Sequence, residues 1–203
     1  MIRLAHLLMV PPALLVLAPF AAAHFRLMEP PSWIVENQQG DPQKLGPCGG
    51  TSTNEGMPSN IVSKLKGGQT LHIKLQETIY HPGHYRIALA VNSRAELPPD
   101  PLTTSRDSDK GPMSVAAAIQ NPPKIPVLAD GLFVHTARAP DPFETDIQIP
   151  NISCEKCTLQ IIEFMAEHGV NKDGGYFYHH CADLQITADP ARAIDAGWPA
   201  AKK

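Results

Sequence analysis

The chain predicts an all-β fold, an immunoglobulin- or fibronectin-like antiparallel β-sandwich with long loops. Two observations carry that expectation. Short runs rich in Ile, Leu, Val, Thr, Phe and Tyr recur between clusters of Pro, Gly, Asn and Asp, and no long stretch repeats apolar residues at helical spacing. Sheets built from such runs bury one face against another sheet. The strand candidates are residues 69–76, 85–91, 132–136, 143–149, 157–165 and 178–187. In Thr70-Leu-His-Ile-Lys-Leu-Gln the apolar and polar residues alternate as one buried face requires, with His72 on the polar side.

The first residues predict export. Met1 to His6 carry one Arg, Leu7 to Phe20 are apolar apart from prolines, and Ala21-Ala22-Ala23 follows. This is the pattern of a secretory signal over residues 1–23, with cleavage expected between Ala23 and His24. The apolar run is shorter than the roughly 20 residues a membrane span needs. The mature chain is therefore expected to be secreted or periplasmic. Residues 24–187 make one domain, and 188–203 a peripheral tail that Trp198 anchors. A monomer is the expected state.

Seventeen basic and twenty acidic residues give a formal charge of −3, and the lysines and arginines are scattered. Neither nucleic acid nor an anionic membrane is an expected partner of such a surface. Four cysteines, Cys48, Cys154, Cys157 and Cys181, make an even count in an exported chain, so two disulfides are expected. Cys154-Glu-Lys-Cys157 fits a redox pair, a metal knuckle or a local staple. The strand-like Thr158-Leu-Gln-Ile-Ile that follows favours the staple over the helix a redox pair would open, and Cys48 is then left to join Cys181. Between Ser93 and Val127, Pro, Asp, Ser and Lys dominate. This reads as a long connection or insertion, either facing a substrate or serving as surface decoration.

Cleavage before His24 would create a residue with two metal-binding nitrogens, its α-amino group and its imidazole. An α-amino group titrates at roughly 7.7–8.0, so a metal displaces its proton at modest cost near neutrality. A second imidazole completes a three-nitrogen plane, which suits Cu(II) better than the tetrahedral preference of zinc. The segment Tyr80-His81-Pro82-Gly83-His84-Tyr85 places two histidines in a turn ahead of an apolar strand, and spacing alone admits either His81 or His84.

Four segments together resemble the lytic polysaccharide monooxygenases. His24-Phe-Arg-Leu-Met-Glu-Pro-Pro-Ser32 is similar to their mature start, and His81-Pro-Gly-His-Tyr-Arg-Ile-Ala-Leu89 to their His-x-Gly segment. Cys154-Glu-Lys-Cys157-Thr-Leu-Gln and Tyr178-His-His-Cys181-Ala-Asp-Leu184 resemble the insect-type branch and a bacterial monooxygenase-like branch. The resemblance implies one copper ion held by a histidine brace of His24 and His81, with Tyr178 at the axial position. It implies oxidative cleavage of glycosidic bonds in a polysaccharide such as chitin or cellulose, with an external electron donor. Residues 174–177, Gly-Gly-Tyr-Phe, lack the polar residue that many members carry before the axial aromatic. Glu163, Gln160 or His180 are the candidates to replace it, and His180 falls on the same side of its strand as Tyr178. Trp33, Tyr80 and Tyr85 are the candidate aromatics for a polysaccharide surface, and Arg26 and Glu29 for its rim. A copper carrier on the same fold is the alternative function, and a metal-free carbohydrate-binding module a third.

Overall fold

The computed structural model describes residues 24–201, so the signal segment and its cleavage site lie outside the described residues. In chain order the strands are β1 (His24–Glu29), β2 (Val62–Lys66), β3 (Thr70–Ile79), β4 (Gly83–Ala90), β5 (Thr103–Arg106), β6 (Met113–Ala117), β7 (Val127–His135), β8 (Phe143–Gln148), β9 (Cys154–Met165) and β10 (Phe177–Thr187). Alternation sets the first sheet: Leu71, Ile73 and Leu75 of β3 are buried while Thr70 and His72 face solvent. β3 lies between β1 and β8, antiparallel to both.

The second sheet runs β2-β10-β9-β4-β7 and faces the first, making the β-sandwich that the sequence predicts. β2 departs from the antiparallel expectation, pairing parallel with β10 at the sheet edge. Inward residues of both sheets meet in one core: Phe25, Leu27, Ile73, Leu75 and Ile147 from the first, Ile87, Leu89, Leu159, Ile161 and Leu184 from the second. Burying aliphatic side chains of this size contributes about 1.5–3 kcal/mol each.

All eight residues of β4 are buried, whereas a strand open on one face would alternate. The reason lies in residues 93–127. A 3-10 turn (Arg94–Glu96) and the β5–β6 hairpin interrupt this segment, so it is more structured than a plain connection. Leu97 and Val127 pack on Ala88 and Ala90, and Arg86 donates to the Pro99 carbonyl at 2.9 Å. The Pro-rich stretch thus covers the outer face of the second sheet.

Both disulfides form as Cys48–Cys181 and Cys154–Cys157. The first ties the loop after β1 to β10, and the second closes the opening of β9, which starts three residues before the expected strand. Asn151 donates to the carbonyls of Asp189, Arg192 and Ala193 at 3.3, 3.2 and 2.9 Å, and Trp198 packs against the main core, so the tail is anchored. Among the described residues no helix is long and apolar enough to cross a membrane.

Candidate metal centre

Three pairings collect the motif residues at one end of the sandwich. His24 opens β1 opposite Ile79, the last residue of β3. The chain then turns through Tyr80-His81-Pro82 and enters β4 at Gly83, opposite Met165 at the end of β9. Phe177, at the start of β10, pairs with Phe164 of β9. Gly83 is required in this turn because a β-carbon there would strike the Phe164 carbonyl.

The His24 side chain is buried, and its Nε2 lies 3.1 Å from Asp41 Oδ2 while its Nδ1 has no partner. Burial acts to raise the Asp41 carboxyl, but the His24 imidazole outweighs it, helped by Lys44, and Asp41 is held below the ordinary carboxylate range. Thr78 fixes the strand end by donating its hydroxyl to the His24 carbonyl at 2.9 Å. The loop carrying Asp41 packs tightly beneath β1, since a β-carbon on Gly40 would overlap the Phe25 carbonyl.

His81 is also buried, and its Nδ1 lies 2.8 Å from the Ala166 carbonyl. A carbonyl only accepts, so Nδ1 carries the hydrogen and Nε2 is the bare nitrogen. Burial first, and the neighbouring His168 second, push His81 below the ordinary histidine pKa. The ring is therefore neutral near pH 7, the form that binds metals. His168 places its ring centroid 4.7 Å from that of His81. Its backbone is tied to the β5–β6 hairpin by Ser114, whose N–H donates to the His168 carbonyl at 2.9 Å. The long insertion therefore supports this end of the molecule as well as covering the sheet.

Tyr178 is fully buried, with its ring centroid 5.0 Å from that of His24. Burial pushes its phenol up to about 12 against an opposing effect of the Asn171 side chain, so it stays protonated at neutral pH. It presents an aromatic ring to His24. Glu163 pairs in register with Tyr178 on one side and Tyr85 on the other, and it is fully buried with both oxygens unpartnered. His180 lies deeper, with Nε2 3.0 Å from the Phe25 carbonyl and Nδ1 3.2 Å from Glu36 Oε1. It steadies the strand that carries His24.

Several expectations are corrected by this arrangement. Gln160 sits on the opposite face of β9, beside Cys181 and Ala88, and donates to the Pro47 carbonyl at 2.9 Å, so the sheet separates it from Tyr178. Tyr85 is a core residue. Trp33 lies under the Arg94 guanidinium, 3.7 Å from the ring centroid, and donates to the Cys48 carbonyl at 2.6 Å. Of the three aromatics proposed for a surface, only Tyr80 stays half-exposed at this end. Arg26 pairs with Glu36, and Glu29 ends β1 away from His24. His84 faces out of the sandwich against Phe164, on the other side of β4 from Tyr85.

Sequence reasoning missed Asp41, Glu77, His135 and His168, which stand in no motif. Glu77 alone left a signal, as the next inward position after Leu71, Ile73 and Leu75 in the alternation of β3.

No protein-family model matches the chain, and no curated protein is significantly similar to it. Among solved structures, it is similar to the crystal structure of a chitin binding domain from Burkholderia pseudomallei, at 11% identity and a TM-score of 0.49, over 82% of this chain and 100% of that one.

Proposed function

We propose that the chain is an exported, monomeric copper protein of lytic polysaccharide monooxygenase type, with His24 and His81 as the brace and Tyr178 as the axial aromatic. One observation carries the reading: two buried imidazoles at one end of the fold are each anchored through one ring nitrogen and keep the other available. His24 is held at Nε2 by Asp41 and leaves Nδ1 orphaned, while His81 is held at Nδ1 by Ala166 and leaves Nε2 bare. Buried polar atoms normally find a partner, so an orphaned ring nitrogen points to an absent ligand. Such anchoring from behind orients metal-binding histidines. His24 Nδ1 is also the nitrogen that closes a six-membered chelate with the residue's own α-amino group after cleavage.

Copper, when bound, supplies the redox chemistry that oxidises a C–H bond beside a glycosidic linkage, with an external electron donor and oxygen or peroxide. The chain's residues supply the rest. Tyr178 covers one side of the His24 ring and excludes water there. Half-exposed Tyr80 offers the polysaccharide a small aromatic contact.

The scarcity of exposed aromatics around His24 favours the second reading, a copper carrier on the same fold. Processed protein beginning at His24 decides between them. Copper calorimetry and electron paramagnetic resonance should find one tight site with an axial, nitrogen-rich spectrum. His81→Ala should lose most of the affinity, His84→Ala little of it, and a single extra residue before His24 should be as damaging as His81→Ala. The reverse ranking of the two histidines would end the brace assignment. Oxidised oligosaccharides released from chitin or cellulose with ascorbate support the enzyme. Tight copper binding with no oxidised product from any glycan supports the carrier.

A further inference from the structure

Beneath the His81 turn lies a second group of side chains that the brace does not use. Glu77 (β3), His135 (β7) and Glu163 (β9) come from three strands, and their ligand atoms all lie within 4.8 Å of one another. The Glu77 and His135 side chains are 3% and 8% exposed, and Glu163 is wholly buried. His135 Nδ1 sits 2.7 Å from the Phe133 carbonyl and donates to it, and Nε2 lies 3.2 Å from Glu77 Oε1. A contact at that distance is closed either by a proton on Nε2, which makes an ion pair, or by a cation between the two groups. Glu77 Oε1 accepts from the His81 backbone N–H at 3.1 Å, leaving Oε2 without a partner. Glu163 has no partner on either oxygen, and the buried Tyr85 hydroxyl faces it without closing a hydrogen bond of ordinary geometry.

We propose that Glu77, His135 and Glu163 form a second metal site, for a divalent first-row transition ion, distinct from the His24–His81 pair. One imidazole nitrogen and carboxylate oxygens are a donor set that Zn(II) accepts. The charge also balances: two carboxylates and a neutral imidazole around a dication sum to zero, whereas two carboxylates buried with nothing between them are costly. The Phe133 carbonyl orients His135 from behind as ligating histidines require, and the His81 amide does the same for Glu77. The Tyr85 hydroxyl is placed to bond an oxygen of the ligand shell. Through Glu77, an ion here would stiffen the turn that carries His81.

Zinc alone is the probe, and the background is His24→Ala, which removes the brace imidazole and leaves these three residues untouched. Equilibrium dialysis of metal-stripped His24→Ala against Zn(II) should give one tight ion per chain and a raised Tm. Adding Glu163→Gln should weaken zinc binding by at least the 10–100-fold typical of losing a supporting group, because a direct ligand is lost. Glu77→Gln should do the same. X-ray absorption on the zinc-loaded His24→Ala protein reads the site even where a double variant fails to fold. One imidazole with carboxylate oxygens supports the assignment; two or more imidazoles, or any sulfur, overturn it. A stripped protein that takes up no tight zinc also overturns it, and so does Glu163→Gln that binds zinc unchanged. In the latter two cases a proton, not a metal, fills the gap between His135 and the carboxylates.

Discussion

The two ends of the sandwich interior are built on opposite principles. At the far end, Leu159, Ile161, Leu71, Ile73, Leu184 and Ile186 meet with no polar group among them. At the near end, the same strands deliver Glu77, Glu163, Tyr178, His180 and His24, all at or below 7% exposure. Several of their atoms have no hydrogen-bond partner. A core gains nothing from buried, unpartnered ionisable groups, since each costs roughly 1–3 kcal/mol or more. One end holds the fold together, and the other is carried by it.

That division is broken most directly by substitutions that should affect one end and spare the other. Leu159→Ala, at a wholly buried position of the apolar end, should lower the unfolding free energy by about 2–5 kcal/mol. Copper affinity of the folded protein should not change. Urea unfolding and copper titration of one sample read both quantities, and a loss of copper binding in folded Leu159→Ala would show that the two ends are not separable. Asp41→Ala is the complement. It removes the carboxylate 3.1 Å from His24 Nε2 and leaves the core alone. Copper affinity should fall about 10–100-fold, the usual effect of losing a group that orients a metal-binding histidine. Stability of the metal-free protein should stay within about 1 kcal/mol, because the Asp41 side chain is partly exposed and interactions of that kind contribute little. A large stability loss with unchanged affinity would make Asp41 a structural residue.

The same division explains what the sequence disclosed. The apolar end was legible because its periods are local: alternation in Thr70–Ile79 and the dense aliphatic run of β9 read directly as strands. His81 and Tyr178 were legible through their motifs. β1 and β2 escaped because charged and polar residues interrupt their apolar positions, and β5–β6 because Pro and Asp around them mask the hairpin. Asp41, His135 and His168 were illegible for a stronger reason. Each acquires its role only when strands distant in sequence are laid side by side, and no spacing along the chain announces that. The side of the sheet on which Gln160 falls likewise depends on register.

The smallest effect tests the polar end through its pH dependence. His180 Nε2 must carry a hydrogen to meet the Phe25 carbonyl, and its Nδ1 lies 3.2 Å from Glu36 Oε1. Burial raises Glu36 from 4.5 to about 7 and lowers His180 from 6.5 to about 3, so between those values Glu36 holds a proton and His180 is neutral. The folded pair therefore holds one proton between about pH 3 and 7. The unfolded pair also holds about one between pH 4.5 and 6.5, on the histidine, so the pair adds no slope to stability over that interval. Glu36→Gln removes the carrier. Folded His180 then stays neutral while unfolded His180 is protonated below 6.5, and stability must fall as pH drops through 6.5. The slope approaches 1.4 kcal/mol for each pH unit. Urea unfolding of both proteins at pH 5, 6 and 7 isolates the difference from every other titrating group. Curves that remain parallel would mean that His180 is charged inside the fold.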